Sequence, residues 1–216
     1  MLVPGLWTPA FLLIPLQRRL QQGGFKAYRF AAASRKLSPA ENARRLGVFL
    51  AGLDQQVIHL VGHSLGGIIL LHVFEQGYSP GSRKARIVLL ACPVAGSALA
   101  GRLVAGRFAR LWGFLLGRSV ERGLLGDAPQ WSSPCLLASF SGRRSHGIAS
   151  VLFSEEFRGN TSSTNHSDGV LQGAETRLTG ATECRALDVS HAGFLWSPVA
   201  ATAVLDFLRN DSLPDA

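Results

Sequence analysis

The run Gly62-His63-Ser64-Leu65-Gly66-Gly67 constrains this chain more than any other, because of what stands on each side of it. Residues 57–61 before it form a short apolar run with β character, and residues 65–76 after it carry helical spacing. A serine flanked by glycines between strand and helix is the G-x-S-x-G pattern in the context its chemistry requires. The strained turn lifts the serine hydroxyl off the end of the sheet. Gly62 and Gly66 are needed where strand and helix approach too closely for side chains. The helix start behind Ser64 aims free N–H groups at a developing negative charge. The plain alternative is a glycine-rich turn with an incidental serine.

The rest of the chain repeats the strand–helix alternation. Short β-rich runs fall at 25–30, 57–61, 85–91, 135–140 and 184–189, and helical spacing at 9–22, 38–53, 65–76 and 197–209. Ser38-Pro39-Ala40-Glu41 reads as a helix start, with an N-cap serine, a first-turn proline and glutamate at the third position. Such alternation predicts an α/β fold, a mostly parallel central sheet with helices on both faces. The 216 residues fit one domain, and 47% hydrophobic residues can fill its core without disulfide or metal.

The alternation fails twice. Residues 96–131 are rich in Leu, Phe, Trp, Gly and Arg, with Leu99, Leu103, Phe108, Leu111, Trp112 and Leu115 at roughly helical spacing. This stretch reads either as a cap inserted over the sheet edge or as a helix pair packed on the core. Residues 141–167 are polar and read as a long loop, which in a compact domain is usually functional.

A serine hydroxyl is a weak nucleophile and needs a base, itself oriented by a carboxylate. With a G-x-S-x-G turn the chain order is serine, acid, histidine. His72 falls inside the helix after Ser64 and reads as structural. His146 and His166 lie in the polar loop and read as solvent-exposed. His191 stands between the last strand and the last helix, which makes it the candidate base. Asp168, followed by Gly169 and 23 residues before His191, is the preferred acid. Asp188, at a strand end three residues before His191, is its competitor, with Glu155 and Glu156 as further alternatives.

Acyl transfer also requires two donors for the oxyanion. The Leu65 amide follows the nucleophile and supplies one. The loop Val3-Pro4-Gly5-Leu6-Trp7 after the first strand supplies the other, from Leu6 or alternatively Trp7. Trp7, His63 and Phe194, next to these groups, are expected to contact substrate.

Net charge is +8, nearly all the positive charge being arginine scattered as singles and pairs. With no basic run or zinc-finger spacing, nucleic acid is not an expected partner. A solvated basic surface, or an anionic membrane surface as target, remain. Cys92, Cys135 and Cys184 show no C-x-x-C spacing and read as free thiols, with a pairing between two of them left open. No signal peptide is legible, so the expected location is the cytoplasm, with a peripheral membrane association as an option. The abrupt entry into a strand suggests that another strand precedes it.

With these residues placed, the chain resembles the lipase and esterase branch of the α/β-hydrolase superfamily, small bacterial members in particular. The resemblance runs from Leu2 to about Leu208. It is carried by Pro4-Gly5-Leu6-Trp7, the Ser64 run, Ser167-Asp168-Gly169-Val170 and Ser190-His191-Ala192-Gly193. It implies ester hydrolysis through an acyl-enzyme, with 96–126 in the position of a cap; the short chain and modest cap favour esters of small to medium acyl groups. Acyl transfer, thioester or lysophospholipid cleavage by the same residues, and a non-catalytic lipid- or protein-binding module, are the alternatives. No obligate protein partner or cofactor is expected. Two departures stand out. Pro4-Gly5 replaces the usual His-Gly, and Ala192-Gly193-Phe194 replaces the aspartate that would follow the histidine at a calcium site, so no metal is expected.

Overall fold

In a computed structural model of the chain, residues 1–145 and 166–210 are described. Five strands, β1 (Leu2–Val3), β2 (Leu60–His63), β3 (Arg86–Leu90), β4 (Leu136–Gly142) and β5 (Glu183–Leu187), form one sheet in sequential order. Every neighbouring pair is parallel. All carboxyl ends therefore share one edge, where an open α/β sheet places its ligands.

Alternation along the strands divides the core in two. Val88 and Leu90 point to a layer containing Leu13, Leu16 and Leu20 of the first helical segment and Ala200, Val204 and Phe207 of the last. Ile87 and Leu89 point the other way, onto Ala43, Leu46 and Leu50 and onto Leu65, Ile68 and Leu71. A sheet apolar on both faces must be covered on both. Helices α1 (Ile14–Gln22) and α6 (Pro198–Arg209) cover one face, α2 (Pro39–Ala51) and α3 (Leu65–Glu75) the other. The expected cap on α2 is present: the Ser38 hydroxyl accepts from Glu41 N at 3.2 Å, and the Glu41 carboxylate accepts from Ser38 N at 2.8 Å.

One expected strand is missing. Residues 25–30 meet β1 through a single bridge, Leu2 to Arg29, with Leu2 N donating to Tyr28 O and Phe30 N donating to Leu2 O. β1 is only two residues long, so it offers no ladder for a longer partner.

Residues 96–131 fold into two short helices, α4 (Ala98–Ala105) and α5 (Ala109–Leu116), followed by a 3₁₀ turn. Gly106, in extended conformation, separates the two helices. Arg118 fixes the end of this pair by bridging Glu41 of α2 at 2.5 Å and Glu121 at 2.8 Å. His72 in α3 has the structural role its position suggests, with Nε2 donating to Arg122 O at 2.6 Å. Cys92 and Cys135 are buried, Cys184 is exposed, and all three thiols are free. Among the described residues no helix is long and apolar enough to cross a membrane.

Candidate active site

Ser64 follows β2 directly and caps α3 with φ 52° and ψ −123°. A positive φ on a non-glycine residue stores roughly 1–3 kcal/mol of strain, which the surrounding packing must hold. Here that packing is backbone against backbone. A Cβ at Gly66 would strike the carbonyls of Val3 and Pro4, and one at Gly62 would lie 2.6 Å from Gly67 N. The turn is thus wedged between β1 and the first turn of α3, with Ser64 N donating to Leu90 O at 2.8 Å. Leu65 is the first residue of α3, so its N–H has no acceptor within the helix.

The loop after β1 runs against the serine. A Cβ at Gly5 would lie 2.9 Å from Ser64 Cβ and 3.2 Å from His63 Nδ1. A tight turn follows, with Thr8 N donating to Gly5 O at 3.3 Å and Trp7 at φ 52°. Leu6 lies within this turn, half-buried and packed against the core cluster that contains Leu65.

Asp168 and His191 reach the same edge from the loops after β4 and β5. His191 Nδ1 donates to Asp168 Oδ2 at 2.9 Å, and the backbones repeat the link, His191 N donating to Asp168 O at 2.9 Å. The other carboxylate oxygen, Oδ1, accepts from Val170 N at 2.9 Å and Leu171 N at 2.7 Å. Asp168 is 1% exposed, so these bonds replace its hydration. With Nδ1 donating, His191 Nε2 is left as the free base of the neutral ring. Ser64 Oγ makes no hydrogen bond with another described residue, and such contacts commonly tighten only when substrate is bound.

The alternative acid does not meet the histidine. Asp188 is exposed and forms a two-pronged pair with Arg144 at 2.7 and 2.9 Å. Glu155, Glu156 and His146 lie outside the described residues. His166 is half-buried rather than solvent-exposed, with Nε2 2.8 Å from Ser141 Oγ.

Of the three residues expected to contact substrate, only Trp7 is open, at 47% exposure. Phe194 is fully buried in the core beneath the His191 loop, packed toward Gly142. His63 is buried as well, its Nε2 donating to His191 O at 3.0 Å and its ring 4.9 Å from the His191 ring. Alternation along β2 explains this, since the residue before the turn points into the sheet layer. Burial, and next the neighbouring His191, push the His63 imidazole down to about 3, so it is neutral. Both residues support the site from beneath.

The sequence reading missed Glu175. Its carboxylate accepts from Ala98 N at 2.6 Å at the start of α4 and from Gln172 N at 2.7 Å in the Asp168 loop. Val170 packs against Leu99 of α4. At the other end of the insertion, Trp7 Nε1 donates to Leu115 O at 3.1 Å. The α4–α5 pair is therefore tied to both the Asp168 loop and the loop after β1. The legible signal was Gln172-Gly-Ala-Glu175, which has capping-box spacing.

Two clefts of about 560 and 730 Å³ open around Val57, His59 and Leu208, at the amino ends of the strands. They lie at the edge opposite Ser64. Among the described residues no cluster of three His, Cys, Asp or Glu side chains forms a metal cradle.

A family model described as the alpha/beta hydrolase family matches residues 1–209, and the chain belongs to that family. The fold is shared with the mature form of the Bacillus licheniformis lipase BlEst2, at 20% identity and TM-score 0.69, covering 96% of this chain and 90% of that one. It is similar to the metagenomic carboxyl esterase MGS0156, at 18% identity and TM-score 0.65, covering 97% of this chain and 75% of that one. It is also similar to the NocB thioesterase domain from the nocardicin cluster, at 16% identity and TM-score 0.52, covering 96% and 91%. No relative was found among curated proteins.

Proposed function

We propose that this α/β hydrolase is a serine carboxylic-ester hydrolase with Ser64 as nucleophile, His191 as base and Asp168 as the orienting acid. The observation that carries the reading is the 2.9 Å bond from His191 Nδ1 to the buried Asp168, at the same sheet edge as the strained Ser64 turn. Ser64 Oγ attacks the ester carbonyl as His191 Nε2 takes its proton. Asp168 holds the tautomer and stabilises the imidazolium without becoming protonated. The Leu65 and Leu6 amides receive the oxyanion. Collapse expels the alcohol, protonated by His191, and leaves an acyl group on Ser64. Water activated by the same histidine then releases the acid and restores the serine.

The α4–α5 pair acts as a cap, because it joins the acid loop at Glu175 to the loop after β1 at Trp7. Its small size favours short to medium acyl chains. Thioester cleavage uses the same attack on a carbonyl and is the second reading, a thioesterase domain being among the proteins of similar fold.

A p-nitrophenyl ester series from acetate to palmitate, run beside acyl-thioesters with wild type and Ser64→Ala, tests the proposal. The expected result is turnover that peaks at short or medium chains and disappears in the variant. No turnover of any member by folded wild type contradicts it.

A further inference from the structure

We propose that the outward face of α5, continued by Trp7, docks on an anionic lipid bilayer. Leu111 and Phe114, three residues apart, share one face of α5, and Phe108, its N-cap residue, precedes them at the same spacing. They are 61%, 54% and 71% exposed. Exposed apolar clusters of this kind mark interaction surfaces. The bond from Trp7 Nε1 to Leu115 O carries the apolar surface onto the loop after β1.

Cations are interleaved with these side chains. The Arg107 guanidinium lies 5.7 Å from the Phe108 ring centre, and that of Arg35 lies 5.6 Å from the Phe114 ring centre. Arg110 is exposed on the same helix. Among the described residues Arg35, Arg107 and Arg110 form no ion pair, whereas Arg118 is neutralised by Glu41 and Glu121. The bias is regional. Residues 1–40 and 76–120 hold thirteen of the 22 lysines and arginines and none of the 14 aspartates and glutamates. These two segments meet here, at the Trp7–Leu115 bond and where Arg118 N donates to Arg35 O at 3.2 Å.

Aromatic and leucine side chains set among unpaired arginines match the boundary between acyl chains and anionic headgroups. The rings enter the apolar layer while guanidinium groups meet phosphate. A bilayer supplies both partners at once, which a soluble anion does not. The surface excludes Ser64, Asp168 and His191, so the proposal stands independently of the hydrolase reading.

Sedimentation with sucrose-loaded vesicles tests it, using phosphatidylcholine alone or mixed with phosphatidylglycerol. The chain is expected to partition at least about tenfold more strongly onto the phosphatidylglycerol vesicles. Leu111→Ser with Phe114→Ser should lower that partition by at least about tenfold. Arg107→Gln and Arg110→Gln should each lower it roughly fivefold. The circular dichroism spectrum and the midpoint of urea unfolding should stay unchanged in these variants. Equal partition onto the two vesicle types overturns the proposal, as does partition unaffected by the apolar double variant. A shift in oligomeric state of that variant, with vesicle binding intact, would instead make the face a contact between copies.

Discussion

The His63 imidazole donates from Nε2 to the backbone carbonyl of His191 across 3.0 Å, tying the residue before the serine to the histidine proposed as its base. A carbonyl only accepts, so the His63 proton sits on Nε2 and Nδ1 carries a lone pair. That Nδ1 is buried with no hydrogen-bond partner among the described residues. His63 thus acts through His191, holding its loop at the height of Ser64.

Replacing His63 by alanine should lower kcat by between about 10- and 100-fold with KM nearly unchanged, because a misplaced base impairs chemistry more than binding. His63→Gln retains an N–H donor and should recover part of the loss. Steady-state kinetics on a soluble ester distinguishes this from direct substrate contact, which would raise KM in both variants.

The two candidate acids separate cleanly. Asp168→Asn should reduce kcat by about 10³–10⁴-fold, since an amide no longer selects the productive tautomer of His191. Asp188→Asn removes only an exposed pair with Arg144 and should change kcat less than about twofold. Similar losses in the two variants would show that Asp168 has been misassigned.

Gly66→Ala should destabilise the fold by about 2–4 kcal/mol or abolish soluble expression, because the new methyl meets the fixed carbonyls of Val3 and Pro4. Gly47→Ala, inside α2 with nothing within 4 Å of the added Cβ, should stabilise by about 0.5–1 kcal/mol. Urea unfolding of the two variants measures the contrast.

Acid should weaken the protein before its carboxylates titrate. Burial pushes His63 down to about 3 and His59 to about 4, from an ordinary value of 6.5. Below pH 6.5 the unfolded chain binds protons that both folded histidines refuse, so stability falls as pH drops toward those values. Each contributes a slope approaching about 1.4 kcal/mol per pH unit. Urea unfolding at pH 7.5 and 5.0 should differ by on the order of 2–4 kcal/mol, and His63→Gln should remove about half of the difference. Equal stability at the two pH values would mean that neither histidine is held neutral.

What was legible in the sequence follows from how local each signal is. The Ser64 turn, the Ser38 cap and the strands at 85–91 and 135–140 are written in neighbouring residues, and they stand where expected as β2–α3, α2, β3 and β4. The run at 25–30 has strand composition, but whether it pairs depends on β1, which lies more than twenty residues away and is too short. Phe194 and His63 were expected at the substrate because they adjoin site residues. Their side chains point into the core, a matter of local backbone direction that spacing does not reveal. Glu175 escaped notice because its role is long-range, binding α4 to the Asp168 loop across 77 positions of sequence.

The most direct test of the central claim is covalent labelling with a fluorophosphonate, followed by mass spectrometry of the labelled peptide. The account predicts one adduct on Ser64, lost in Ser64→Ala and formed far more slowly in His191→Ala, while circular dichroism shows both variants folded. An adduct on another serine, or undiminished labelling of Ser64→Ala, would contradict it.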